Sequence, residues 1–158
     1  MALEIERKFL VIGESWRRDA SASLALRQAY LARTERLSAR VRVIDDREAF
    51  LAIKSSGAGA VRSEYEYAIP VSDALELFEL RQGEVIAKTR HIVENAGERW
   101  EIDVFEGALS GLVIAEIELA GTDAAFERPD WLGREVTGDP AYYNAALALA
   151  GLPAGFDR

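Results

Sequence analysis

Residues 1–10 read Met-Ala-Leu-Glu-Ile-Glu-Arg-Lys-Phe-Leu, and the alternation of charged and apolar side chains in this stretch guides the interpretation of the whole chain. Successive side chains of a β-strand point to opposite faces. Glu4, Glu6 and Lys8 therefore share one face, and the leucine, isoleucine and phenylalanine between them share the other. The stretch predicts a half-buried strand that presents two carboxylates and an ammonium group together.

The same alternation returns in further segments along the chain, and their charged faces are sorted by sign. Basic faces carry Arg40 with Arg42, Lys54, and Lys88 with Arg90, whereas acidic faces carry Glu64 with Glu66, Glu101 with Asp103, and Glu116 with Glu118. The solvent face of an ordinary antiparallel sheet mixes charges and hydroxyls, so the sorting indicates a ligand. Seven further strands are predicted, at 26–32, 38–43, 50–54, 63–69, 87–92, 100–104 and 115–119.

Length and composition fit one domain that spans residues 1–158, with 49% hydrophobic and 29% charged residues. The net charge of -8 and the pI of about 4.8 argue against a nucleic-acid partner. Without a signal peptide, an apolar run of transmembrane length or a single cysteine, the chain is expected to be cytoplasmic and to lack a membrane partner.

Helices are predicted at three places between and after the strands. Asp73 begins a capped helix that Gly83 can end, and a second short helix is expected from Thr122. Asp139 and Pro140 predict the start of a C-terminal helix over 141–150. The fold class that follows is mainly β (α+β): an eight-stranded antiparallel closed β-barrel with flanking helices and a C-terminal helix. A barrel of this size holds side chains or one small ligand.

Charged side chains inside such a bore need partners, because the desolvation of buried ion pairs can exceed their mutual attraction. A polyanion bridged by metal ions supplies these partners. Carboxylates suit hard divalent cations such as Mg²⁺ or Mn²⁺, which share their coordination with phosphate oxygens. Arginine and lysine side chains bind the phosphate oxygens themselves.

The segment Glu-Ile-Glu-Arg-Lys at 4–8 resembles the Glu-x-Glu-x-Lys signature of the CYTH superfamily, the triphosphate tunnel metalloenzymes. The resemblance continues in order over nearly the whole chain, through segments at 26–31, 40–42, 51–55, 64–66, 88–90, 101–105, 116–118 and 135–137. It implies an eight-stranded tunnel that binds a small-molecule triphosphate and activates it with Mg²⁺ or Mn²⁺.

The resemblance also implies a role for each charged position. The leading metal ligands are Glu4, Glu6, Glu116 and Glu118, with Asp103, Glu64 and Glu66 as further candidates. The phosphate-binding residues are Lys8, Arg40, Arg42, Lys54, Lys88 and Arg90. Either Lys54 or Lys88 is expected to assist the water that attacks the terminal phosphorus.

Short bacterial inorganic triphosphatases are the members that this chain most resembles, which implies metal-dependent hydrolysis of tripolyphosphate to pyrophosphate and phosphate. Other triphosphate chemistry stays open: a nucleoside or thiamine triphosphatase, a class IV adenylate cyclase, or a polyphosphate-binding module without catalysis. A homodimer is also open. Some members place a lysine on the C-terminal helix, and the matching residues 142–146 contain none.

Simpler interpretations exist for individual residues. The charged faces of Glu4 and Arg40 are each compatible with exposure to solvent. For Glu64, Glu66, Glu101 and Asp103 a structural salt bridge is as reasonable as a metal contact. His91 is the sole histidine and alternates with the basic positions, so it is expected to have a structural role.

Overall fold

The strands of the computed structural model, which describes residues 2–56 and 59–157, form one continuous antiparallel sheet. The nine strands within these ranges are β1 Ala2–Val11, β2 Ala20–Arg33, β3 Leu37–Ile44, β4 Glu48–Ser55, β5 Val61–Ile69, β6 Gln82–Asn95, β7 Glu98–Phe105, β8 Val113–Glu118 and β9 Leu132–Glu135. The helices are α1 Val71–Phe78 and α2 Asn144–Ala150, with 3₁₀ segments at Ser15–Asp19, Gly107–Leu109 and Pro140–Tyr142.

The sheet closes on itself to form a barrel. Its strand order is β5-β4-β3-β2-β6-β7-β8-β1-β9, and β5 also pairs with β1. The closing contact runs from Ala2 opposite Glu64 to Ile5 opposite Val61. The predicted eight-stranded antiparallel closed barrel is therefore confirmed, with all eight predicted strands present and β9 added beside β1.

The register of the pairings gives every strand of the barrel a consistent inward face. Lys8 lies opposite Glu116 across β1 and β8, and Glu116 lies opposite Glu101 across β8 and β7. On the other side of the closure, Lys54 lies opposite Glu64. Because side chains alternate along a strand, these pairings turn the charged positions toward one another and the apolar positions outward.

The apolar positions form the core on the outside of the barrel, beneath loops and helices. Phe9 and Trp100 are fully buried there, and their rings meet edge to face with centroids 5.9 Å apart. Trp131 contacts Trp100 in the same geometry at 5.3 Å. The helix α1 covers a second cluster, which includes Val41 and is formed by β2, β3 and β4. Hydrophobic burial therefore stabilises the barrel from outside and leaves its interior to polar groups.

Two helix predictions differ from the structure. The helix predicted from Asp73 begins at Val71, after the extended Pro70, and ends at Phe78, so Gly83 lies inside β6. The helix predicted from Thr122 is wrong, because residues 122–129 contain no helix. Their backbone follows the packing of aromatic side chains against the barrel rather than the local alanine content.

The C-terminal helix is confirmed with one interruption. The Asp139 side chain accepts a hydrogen bond from the Ala141 amide, as its predicted capping role requires, but this turn is a 3₁₀ segment. Tyr143 is extended, and α2 starts after it at Asn144. Neither α-helix in the described part of the chain has the length and apolar character needed to cross a membrane.

We predict that the contact between β6 and α2 depends on glycine at position 83. Gly83 has φ +72°, and a Cβ there would lie 2.4 Å from the carbonyl oxygen of Ala148. Gly83→Ala should therefore lower the free energy of unfolding by about 2–4 kcal/mol in urea denaturation, through backbone strain and displacement of α2.

Gly13→Ala is the matched control, because Gly13 has φ +65° and open space around the added methyl group. This control should lose only about 1 kcal/mol. Equal losses in the two variants would show that the contact with α2 contributes nothing.

Candidate functional site

The inward faces of the strands enclose a central cavity of about 450 Å³, which is within the usual range for a small-molecule site. Most of the predicted site residues line it together, although they come from distant parts of the chain. Those that do are Glu4, Glu6, Lys8, Arg40, Arg42, Lys54, Glu64, Glu66, Arg90 and Glu116. Those that do not are Lys88, Asp103 and Glu118.

Acids and bases of this cavity lie in ion-pair contact, either across adjacent strands or across one intervening strand. Lys54 Nζ lies 2.9 Å from Glu4 Oε2, without the angles of a hydrogen bond. Lys8 Nζ lies 3.6 Å from Glu116 Oε1. Burial acts to lower the pKa of Lys8, but the combined attraction of Glu116, Glu6 and Tyr30 raises it. Arg40 lies 3.6 Å from Glu64. The longer separations of the Lys8 and Arg40 pairs leave these groups able to turn toward a ligand.

The shortest contacts surround Asp103 in the barrel wall. Arg90 donates to both of its carboxylate oxygens, at 2.7 and 2.9 Å, and Lys88 Nζ lies 2.7 Å from Oδ2. These cations outweigh burial and hold the pKa of Asp103 well below its usual range. The Asp103 side chain is 1% exposed. Its carboxylate is therefore occupied as the counter-ion of two cations.

The basic wall, formed by Arg40, Arg42, Lys88 and Arg90, carries an excess of positive charge. Burial, followed by repulsion from Arg40 and Arg90, lowers the pKa of Arg42 to about 9. Burial also lowers the pKa of Lys88 to about 8, although the attraction of Asp103 opposes this shift. A wall in which cations are destabilised by one another is a favourable place for an anion.

Polar atoms of the same wall lack protein partners. Arg42 Nε donates to Gln28 Oε1 at 3.0 Å, and the amide nitrogen of Gln28 is buried without a hydrogen bond among the described residues. Arg40 Nε is also buried without a hydrogen bond among the described residues. Buried donors without partners are expensive to maintain, and phosphate oxygens suit that of Arg40, which lines the cavity.

The acidic wall, which Glu4, Glu6 and Glu116 form, offers carboxylate oxygens to a divalent cation but does not complete its coordination shell. Burial and then the charges of Glu4 and Glu6 raise the pKa of Glu118, which is exposed beside them. Within the described ranges, no three acidic, histidine or cysteine side chains are gathered as metal ligands. Mg²⁺ commonly takes one or two carboxylates and completes its shell with waters and substrate phosphates, so the donor set fits such a metal.

Some functional positions were not found from the sequence. Arg62 lines the cavity and lies one residue before the predicted start of its strand, so the alternation rule would have found it with a longer strand. Tyr143 and Asn144 also line the cavity, but no strand pattern covers them. The guanidinium of Arg62 lies 4.4 Å from the centre of the Tyr143 ring. His91 packs against Trp16 instead, with ring centroids 5.0 Å apart.

The lysines of this chain lie at the cavity or directly behind it. The sequence contains three lysines, Lys8, Lys54 and Lys88, and its other basic residues apart from His91 are arginines. Lys8 and Lys54 line the cavity, and Lys88 is buried in the wall behind it. Reagents and spectra specific for lysine side chains therefore report on this site.

Comparisons with known proteins show which families and sequences this chain is similar to. The sequence model of a family described as the CYTH domain matches residues 2–143. An inorganic triphosphatase of Acetivibrio thermocellus is 47% identical over 148 residues, which cover 93% of this chain and 94% of that protein. An inorganic triphosphatase of Nitrosomonas europaea is 40% identical over 151 residues, covering 93% and 97% respectively.

Solved structures show the same fold. The crystal structure of an inorganic triphosphatase is similar with a TM-score of 0.69 and 39% identity, covering 95% of this chain and all 100% of that one. A Hippeastrum protein described as a putative adenylyl cyclase with a dominant triphosphatase activity has a TM-score of 0.55 at 14% identity, covering 77% and 80% of the two chains. At that identity the likeness shows the fold alone.

We predict that Asp103 holds the wall together through charge. Asp103→Asn should lower the free energy of unfolding at pH 7 by about 3–5 kcal/mol, because it leaves two buried cations without their counter-ion. The carboxylate stabilises the fold above its unfolded pKa of about 3.9, and that contribution is lost as the pH falls toward the depressed folded value. The difference from the wild type should therefore shrink below about pH 4.

The exposed Asp123 supplies the control, and Asp123→Asn should change stability by no more than about 0.5 kcal/mol. Urea denaturation at several pH values measures both variants. A loss for Asp103→Asn as small as that of the control would contradict the counter-ion role.

Proposed function

We propose that this chain, which belongs to the CYTH domain family, is a metal-dependent inorganic triphosphatase. It splits tripolyphosphate into pyrophosphate and phosphate. The observation that carries this conclusion is the cavity in which basic and acidic walls face each other. The basic wall matches the phosphate oxygens, and the acidic wall matches divalent cations that neutralise them.

The phosphate-binding role falls to the cations that sequence analysis selected. They are Lys8, Arg40, Arg42, Lys54 and Arg90 at the cavity surface, and Lys88 behind it. Arg40 Nε has no hydrogen-bond partner in the described part of the chain, and the pKa of Arg42 is depressed; both observations support an anion on this wall. Clamping the chain of phosphates also neutralises charge that shifts onto the leaving pyrophosphate during the reaction.

The metal-binding role falls to Glu4, Glu6, Glu116 and Glu118. We infer Mg²⁺ or Mn²⁺, because all donors are carboxylate oxygens. Glu64 and Glu66 are secondary ligands in this proposal, since Arg40 lies near both. Asp103 is retained as a counter-ion rather than a ligand, since its two oxygens are already bound by Arg90 and Lys88. The metal, when bound, supplies charge neutralisation and orientation of the phosphates.

The attacking group is a water molecule aimed at the terminal phosphorus, and a lysine assists it. Lys54 lies at the cavity surface beside Glu4. Lys88 has a pKa near 8, which suits proton transfer at neutral pH, but it is held behind the surface. Both lysines stay candidates for this role. The remaining cations hold the chain in line for displacement of pyrophosphate.

We further propose that one domain carries the whole activity and that it acts in the cytoplasm without nucleic acid or membrane partners. The acidic net charge of -8 supports the absence of a nucleic-acid partner. The proposed site uses residues of one chain only. A homodimer is therefore compatible with the proposal.

A substrate panel tests the activity. Tripolyphosphate, ATP and thiamine triphosphate are each incubated with Mg²⁺, with Mn²⁺ or with a chelator, and released phosphate and cyclic AMP are measured. We expect rapid release from tripolyphosphate, slower release from the others, no cyclic AMP and no reaction with the chelator. Binding of tripolyphosphate without turnover under any metal would instead favour a binding module.

We predict that Glu116→Gln abolishes turnover of tripolyphosphate, with a loss of at least about 100-fold in kcat, while the melting temperature stays within a few degrees. The substitution keeps the size of the side chain and removes the charge that faces the cavity. Steady-state kinetics at saturating metal measure it. The exposed Glu94 on β6 provides the matched control, Glu94→Gln, which should keep wild-type rates. Undiminished turnover in Glu116→Gln would reject the assigned role.

A further inference from the structure

We propose that Asn144 is a substrate-binding residue, which donates a hydrogen bond to a phosphate oxygen through its amide nitrogen while its amide oxygen holds Lys88. This inference rests on the proposed function, since it names a further contact for the same phosphates. It assigns a neutral donor to the C-terminal segment, where the sequence provides no lysine.

The position of Asn144 places it between Lys88 and the cavity. Lys88 Nζ donates to Asn144 Oδ1 at 3.1 Å. The Lys88 side chain is 0% exposed and does not line the cavity, whereas Asn144 does. An anion in the cavity therefore reaches the charge of Lys88 through the amide of Asn144.

The orientation of that amide follows from the chemistry of its neighbour. A lysine ammonium only donates hydrogen bonds, so the atom that faces Lys88 has to be the oxygen. The NH₂ group then points away from Lys88, and no protein acceptor for it is found among the described residues. Phosphate oxygens accept hydrogen bonds, and a donor that lines a cavity of basic side chains suits them.

Lys88 strengthens the donor on the opposite side of the amide. Its ammonium has two oxygen partners, Asp103 at 2.7 Å and Asn144 at 3.1 Å, and lies 5.1 Å from the centre of the Phe105 ring. A cation bound at the amide oxygen draws electron density from the nitrogen, and hydrogen bonds in such chains polarise one another. Through the Asn144 amide, the buried charge of Lys88 thus acts on an anion in the cavity.

The backbone around Asn144 is fixed well enough to hold this geometry. Ala145, Leu147 and Ala148 are buried in the core cluster that anchors α2 to the barrel. The close approach of Gly83 to Ala148 sets the distance between α2 and β6, the strand that carries Lys88. The amide is therefore held in place before the substrate arrives.

Two substitutions of similar shape separate the functions of the amide. Asn144→Asp keeps an acceptor for Lys88 but replaces the donor by a negative charge. Asn144→Leu removes both. We expect the KM for tripolyphosphate to rise about tenfold in Asn144→Leu, and further in Asn144→Asp because its carboxylate repels phosphate.

Tyr142→Phe is the control for disturbance of the C-terminal segment, because Tyr142 is buried next to this site, bonds to Arg134 and does not line the cavity. Its KM and kcat should stay within about twofold of the wild type. A wild-type KM in Asn144→Leu would overturn the proposal, whatever the KM of Asn144→Asp. A raised KM in Asn144→Leu with a normal one in Asn144→Asp would also overturn it, because that pattern means that Asn144 acts through Lys88 alone.

Side-chain amide spectra of the wild-type protein test the contact without turnover. The sequence contains two asparagines, Asn95 and Asn144, and two glutamines, so the ¹H–¹⁵N spectrum has four side-chain NH₂ groups. We expect a non-hydrolysable methylene-bridged triphosphate analogue with Mg²⁺ to shift the Asn144 pair, which Asn144→Asp identifies by its loss. The Asn95 pair, at the end of β6, should not move.

The outcomes of the titration are distinguishable. Backbone shifts at cavity residues with an unmoved Asn144 pair would refute the contact and leave the proposed function intact. No shift anywhere, together with no phosphate release from tripolyphosphate by the wild type, would refute the proposed function itself.

Discussion

Compensation of buried charge is the constraint on which the rest of this structure depends. Asp103 sits in the barrel wall between Arg90 and Lys88, with each contact at 3 Å or less. Burying these ions would be unfavourable without such contacts, since desolvation is comparable to the attraction they gain. The cavity beyond them is less well compensated: most of its ion pairs are longer, and Arg40 Nε has no hydrogen-bond partner among the described residues. Asp103, Arg90 and Lys88 therefore form a satisfied network in the barrel wall, and we propose that substrate and metal complete the cavity surface.

Much of this arrangement could be predicted from the sequence because strands impose a period of two. Once Glu4, Glu6 and Lys8 are assigned to one face, closure of the barrel brings them opposite the alternating charges of other strands. The outward positions are apolar and hold the barrel through burial, as Trp100 and Phe9 show. The strands and the charged faces were therefore predictable without knowledge of which strand pairs with which.

How deeply each charged side chain is buried, and how distant elements pack together, could not be predicted in the same way. The alternation treats Lys88 and Lys54 alike, yet one is fully buried and the other lines the cavity, since depth depends on the register of neighbouring strands. The short strand β9 has no alternating pattern and forms because β1 offers it an edge. Asn144 follows a break between a 3₁₀ turn and α2, which the helix propensity of 141–150 conceals. Packing against the barrel also overrides the local pattern near Thr122.

The central claim is that acids and bases distant in the chain converge on one bound polyphosphate inside the barrel. A crystal structure with Mn²⁺ and a non-hydrolysable triphosphate analogue, using the anomalous signal of manganese, tests it most directly. The account predicts the phosphates against Arg40, Arg42 and Arg90, with manganese between them and the carboxylates of the opposite wall. Manganese and phosphates found on the outer surface of the barrel, with the cavity side chains still paired among themselves, would contradict it.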